Sequence, residues 1–116
     1  MSKNYPEMAT DLSASIGRLR KGIPDTMKGF SAMAAAATRD GFLDPKTKEL
    51  IATAIGVAVR CDGCISSHTK AAEKNGASRE EILETLGMAV YMGGGPSIVY
   101  AAEALDAFDQ FAEEAK

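Results

Sequence analysis

From Pro6 to Ala112 the apolar residues of this 116-residue chain recur at three- and four-residue intervals, and nowhere do they alternate as a half-buried strand would. That pattern restricts the chain to an all-α fold, because a 3.6-residue period cannot keep one face of a strand buried. Helix breakers divide it into about six segments. Pro6 opens a first helix through the Leu12-Ile16-Leu19 stripe, closed by Gly22 and Pro24. A second helix runs from about Asp25 through the alanine-rich Met33 region to Gly41. Asp44-Pro45, an N-cap followed by proline, starts a third that ends near Arg60. The segment beginning at Cys61 opens a fourth, stopped by Asn75-Gly76. Ser78 and Glu81 form a capping box for the fifth, through Ile82, Leu86 and Val90, and Gly93-Gly94-Gly95 breaks it. Pro96 begins the last, with an apolar stripe of Ile98, Ala101, Leu105, Phe108 and Ala112 and a wet side of Glu103, Asp106, Gln110 and Glu113. The length suits one domain over residues 1–116, with no repeat or linker.

With 46% hydrophobic and 25% charged residues the chain is globular, and a net charge of -3 leaves no basic footprint for nucleic acid. The start lacks the apolar run of a signal peptide, and no stretch is long and uncharged enough to cross a bilayer. The expected compartment is the cytoplasm.

The two cysteines and the one histidine fall within eight residues, Cys61-Asp62-Gly63-Cys64-Ile65-Ser66-Ser67-His68. Closing so small a loop stabilises a fold little, so redox cycling is the better use of the pair. On a helix the three residues stand at i, i+3 and i+7 and share a stripe. A helix beginning near Asp62 would put its positive end beside the thiols and favour the reactive thiolate, with His68 to take or relay a proton. Gly63 would let the backbone tighten so that the sulfurs meet. Glu49 belongs to a face of small residues with Thr53 and Gly56, matching Ala71 and Ala72 near His68. If the chain reverses between Gly56 and Asp62, the Glu49 carboxylate comes level with the His68 imidazole; on one unbroken helix Glu49 and Cys61 would lie about 18 Å apart. A zinc site built from Cys61, Cys64, His68 and Glu49 is the competing reading, disfavoured because structural zinc usually draws on two separated knuckles.

Glu49, then eleven residues, then Cys61-x-x-Cys64 and His68 resembles the signature of the AhpD-like alkylhydroperoxidases within the carboxymuconolactone decarboxylase family. The run from Asp40 to Ile51 is similar to the segment leading into that family's catalytic glutamate, and the resemblance extends over about residues 26–105. It implies an all-helical AhpD-like fold assembled as homotrimers or homohexamers, and thiol-dependent reduction of hydroperoxides without a cofactor or metal. It further implies Cys64 as the attacking thiol, Cys61 as the resolving one, Glu49 with His68 as a proton relay, and a dithiol or protein thiol as reductant. One departure is visible: the mycobacterial type enzyme carries a second histidine between its cysteines, where this chain has Asp62-Gly63, so the relay is shorter. The family's decarboxylases lack the cysteine pair. A disulfide reductase or thiol relay without peroxide turnover, and a redox-switched oligomer, are the alternative functions.

Three further features are read structurally. Gly93-Gly94-Gly95-Pro96-Ser97 lacks the Gly-Lys-Ser/Thr ending of a phosphate loop and is a helix break allowing close packing. Met88, Tyr91, Met92 and Tyr100 are expected in the core or at subunit contacts, or lining the approach to the thiols. The run from Ala32 to Ala37 is too continuously apolar for a helix with one wet face, which points to a homo-oligomer.

Overall fold

Each helix of the computed structural model, which describes residues 3–116, begins where the sequence supplies a cap or a proline. Met1 and Ser2, part of the expected single domain, lie outside the described residues. α1 (Tyr5–Gly22) follows Asn4, whose side chain accepts the Glu7 amide. α2 (Pro24–Thr38) starts on its proline. α3 (Pro45–Ala58) follows Asp44, which accepts the Thr47 amide at 2.7 Å. α4 (Asp62–Lys74) has Cys61 as its N-cap and ends on Gly76 at φ 86. α5 (Arg79–Gly93) carries the full Ser78–Glu81 capping box. α6 (Gly95–Glu114) follows the Gly94 turn. No strand occurs among the described residues. The expected boundaries agree except that α2 stops three residues before Gly41, where a bend over 39–43 leads to the Asp44 cap.

α3, α4, α5 and α6 pack on one another around Val57, Ile65, Ala72, Ile82, Leu86, Ala104 and Phe108. α1 lies against α4 and α6 and inserts Tyr5 fully into that core. Gly93 allows the close passage from α5 into α6, since a β-carbon there would collide with the buried Ser97 side chain.

Three expectations about burial are corrected. The core face of α6 is Ser97, Ala101, Ala104, Ala107, Phe108 and Phe111; Ile98 is exposed, and Leu105 and Ala112 are only half-buried. Glu103, expected to be wet, is 5% exposed, because Lys3 from the other end of the chain supplies its counter-charge at 2.6 Å. Gln110 is likewise drawn inward, accepting the Tyr5 amide and donating to the Lys3 carbonyl. Of the alternatives read for Met88, Tyr91, Met92 and Tyr100, the core place holds for Tyr100, while Met88, Tyr91 and Met92 are exposed on α5, where the subunit-contact reading still applies.

α2 touches only α1 and α3 among the described residues and buries none of its side chains. Its alanine run therefore has no interior of this chain to pack into.

Candidate active site

The site is assembled by the turn from α3 into α4. Arg60 adopts the left-handed conformation, φ 60, and around it the Arg60 amide donates to the Val57 carbonyl and the Cys61 amide to the Gly56 carbonyl. This paired closure is the usual way a helix ends on a left-handed residue, except that the position normally belongs to glycine. The reversal expected between Gly56 and Asp62 occurs, and α4 returns along α3. Glu49, Thr53 and Gly56 are all buried in the contact. Gly56 keeps this contact close: a β-carbon would stand 3.2 Å from Cys64 Cβ, tight enough that Cys64 would have to give way slightly.

Cys61 and Cys64 are joined as a disulfide with their Cα atoms 5.1 Å apart. Cys61 has extended backbone and precedes the helix rather than lying within it. Its Sγ accepts the Cys64 amide at 3.1 Å, one of the N-terminal amides that a helix leaves without an internal partner. A thiolate at Cys61 would keep this donor and the positive end of α4, so Cys61 is the better leaving sulfur when the disulfide is opened.

His68 stands one turn beyond Cys64, and its Nδ1 lies 2.9 Å from Glu49 Oε1. Glu49 is 8% exposed, held within α3, and an ionised carboxylate only accepts. Nδ1 therefore carries the proton in this pair, and Nε2 is the nitrogen left free to act as a base. The sequence-predicted residues thus converge as two units, Cys61–Cys64 and Glu49–His68, on one helix contact. No group of three or more His, Cys, Asp and Glu side chains among the described residues is disposed to hold a metal ion. A cleft of about 250 Å³ opens onto Glu49 and His68, lined by Ala37, Thr38, Lys48, Ile51, Ala52 and Ile55.

Two neighbours escaped the sequence reading. Leu12 of α1 lies against Gly63, so close that a β-carbon there would stand 2.6 Å from Leu12 Cδ2. Gly63 accordingly makes room for α1, a reason beyond the backbone tightening expected of it. Lys3 reaches Asp62 Oδ2 at 3.2 Å. Neither contact has a local signature, since each spans about fifty residues or more.

The model of the carboxymuconolactone decarboxylase family matches residues 24–107. A crystal structure of a carboxymuconolactone decarboxylase family protein from Legionella pneumophila is 56% identical, covers 93% of this chain and 96% of its own, and superposes with a TM-score of 0.90. A crystal structure from Thermotoga maritima is 32% identical over 84% of this chain and 92% of its own, with a TM-score of 0.76. An uncharacterized protein of Cupriavidus necator is 38% identical over 109 residues, 94% of this chain and 96% of that one. A family match over most of the chain, the likeness to the Legionella structure and the helix contact that unites the two site units all point one way: this chain belongs to the carboxymuconolactone decarboxylase family.

Proposed function

We propose that the protein is a thiol-dependent peroxidase of the AhpD-like kind, an oxidoreductase that reduces hydroperoxides. The observation that carries this reading is a redox pair placed one helical turn from a histidine whose other nitrogen is held by a buried carboxylate. In the cycle, His68 Nε2 takes the Cys64 proton and the thiolate attacks the outer oxygen of the hydroperoxide. The O–O bond breaks, Cys64 becomes a sulfenic acid, and the alkoxide leaves with a proton returned through His68. The Cys61 thiol then displaces water from the sulfenic acid and forms the disulfide. An external dithiol restores both thiols, its own sulfurs becoming a disulfide; attack at Cys64 releases Cys61 as the thiolate next to the Cys64 amide. The cleft that opens onto Glu49 and His68 is lined by neither cysteine, but its apolar wall of Ala37, Ile51, Ala52 and Ile55 suits the organic part of a hydroperoxide.

The working form on this reading is a cytoplasmic homotrimer or homohexamer. The chain exposes 7277 Å², against about 6,000 Å² for a folded monomer of its mass. Phe30, Met33, Phe42, Ile55, Met88, Tyr91 and Met92 are among the large apolar side chains left outside. No helix among the described residues is long and apolar enough to cross a membrane.

The test is peroxide consumption by the purified protein with a dithiol, followed by thiol trapping and mass spectrometry after limiting peroxide. Turnover with a transient sulfenic acid on Cys64 supports the proposal. Reduction of protein disulfides without peroxide turnover would replace it by a disulfide reductase, and an oxidation-dependent mass change without turnover by a redox-switched oligomer.

A further inference from the structure

A second charged neighbourhood, built from Lys3, Asp62 and Glu103, adjoins the N-terminal end of α4 next to Cys61. Asp62 occupies the first position of α4, directly after Cys61. A carboxylate there suits the helix end, yet it is a like charge beside a thiolate and opposes its formation. Lys3 answers it: its Nζ bonds Asp62 Oδ2 at 3.2 Å and Glu103 Oε1 at 2.6 Å. The ammonium is held more firmly protonated than an ordinary lysine, first by Glu103 and then, against the cost of burial, by Asp62. The compartment is acidic, since Tyr5 lies close enough to Glu103, Asp62 and Asp106 for all three carboxylates to hinder its ionisation. Tyr5 Oη, Asp62 Oδ1 and Asp106 Oδ2 are buried there without a protein hydrogen bond. Lys3 is the one cation paired with these acids among the described residues. Other charged groups near the dithiol among the described residues are Glu49 from α3, His68 from α4 itself, Arg60 in the turn before Cys61, and Arg20 of α1 with Lys70 of α4, which line the pocket that reaches Gly63.

The arm is fixed independently of the lysine side chain. Gln110 holds the Lys3 carbonyl and the Tyr5 amide, Ser66 Oγ donates to the Tyr5 carbonyl, and Leu12 closes over Gly63. The arm and all of α1 lie outside residues 24–107, whereas Asp62 and Glu103 lie within them, so Lys3 reaches both from outside the part of the chain that the family model matches.

We infer that Lys3 is a positioning residue for the redox pair: by pairing with Asp62 and Glu103 it holds the first turn of α4 and cancels the carboxylate charge beside Cys61, keeping the neighbouring thiols ionisable. The inference rests on the redox reading of the pair but not on peroxide as substrate. Its test is accordingly the pH dependence of alkylation of the reduced protein by iodoacetamide, with the modified cysteine identified by mass spectrometry. Lys3→Met should raise the midpoint by about one pH unit, a roughly tenfold loss of thiolate below it. Lys3→Arg should keep the wild-type midpoint. Because Lys3→Met leaves the buried Glu103 unpaired, Lys3→Met/Glu103→Gln is measured beside it and should show the same rise. Adding Asp62→Asn to that pair should bring the midpoint back down. A midpoint unmoved by Lys3→Met/Glu103→Gln, or not restored by Asp62→Asn, would overturn the inference and leave the lysine as a fastening of the arm. Normal alkylation behaviour in a protein that fails to consume peroxide would count against the peroxidase reading alone.

Discussion

Glu49 and His68, nineteen residues apart in the chain, meet across the α3–α4 contact with Oε1 2.9 Å from Nδ1. The carboxylate is buried and the ring half-buried, so the pair works at the edge of the protein with its fixed member inside. Glu49→Gln and His68→Gln should each slow thiol reactivity by about ten- to a thousand-fold near neutral pH, the range for losing a proton-transfer partner. The double variant should be little worse, because both residues serve one proton path. Stopped-flow peroxide consumption checks this, and fully additive losses would argue against a shared relay.

The two cysteines should fail differently. Cys64→Ser is expected to abolish peroxide reduction, because Cys64 is the sulfur one turn from His68. Cys61→Ser should still form a sulfenic acid on Cys64 that persists for want of an internal resolving thiol. Dimedone trapping with peptide mapping reads the outcome, and a Cys61→Ser protein with no trapped sulfenic acid would exchange the two roles.

Two glycines beside the dithiol, one facing Cys64 and one facing Leu12, should respond unequally to a methyl group. Gly→Ala favours a helix by about 1 kcal/mol, whereas overpacking a tight contact costs about 1–3 kcal/mol. At Gly56 the new β-carbon would stand 3.2 Å from Cys64 Cβ, with backbone atoms behind it. Gly56→Ala should therefore lose about 1 kcal/mol net and displace Cys64. At Gly63 the atom in the way is the tip of the Leu12 side chain, which turns aside, so Gly63→Ala should be near neutral. Urea denaturation of the two variants compares them.

Burial pushes the Tyr5 phenol up to about 12, with the nearby carboxylates adding to the effect. Unfolded, the group would lose its proton near pH 10, so folding stability is unaffected below that and falls as pH rises toward 12. Tyr5→Phe should reduce this alkaline loss by about 1–2 kcal/mol near pH 11.5. At pH 7 it should be neutral or slightly stabilising, since the buried hydroxyl has no protein partner to lose. Thermal melts across pH 7–11.5 provide the measurement, and an unchanged alkaline limb would show that another group governs it.

Light scattering at micromolar concentration should give a multiple of 12.2 kDa, three or six chains, for the purified protein. A charge placed on the exposed apolar surface by Ile55→Glu or Met88→Glu should shift the mass downward. A wild-type monomer would require α2 to stand in solvent with its alanine run uncovered.

What the residues declared by themselves was local. Caps, prolines and glycines act on the backbone within a few positions, so the six helices and most of their ends were legible, and Gly76 and Ser78–Glu81 stop and start the chain as their chemistry requires. The Cys61, Cys64 and His68 grouping was legible because the three stand within eight residues, whereas Glu49 was singled out through the family resemblance, the small residues at Thr53 and Gly56 only allowing a close helix contact. Tertiary structure decided what distance in sequence conceals. The face of α6 turned toward the core buries Ala101, Ala104, Ala107, Phe108 and Phe111, and Glu103 is tolerated on it because a lysine a hundred residues earlier pairs with it; side-chain periodicity carries no record of a partner so far away. Gly63 faces Leu12, and Asp62 faces Lys3, through an N-terminal arm whose docking depends on Gln110 and Ser66 together. Burial of a charge is a property of the assembled neighbourhood, whereas a helix end is a property of the few residues that form it.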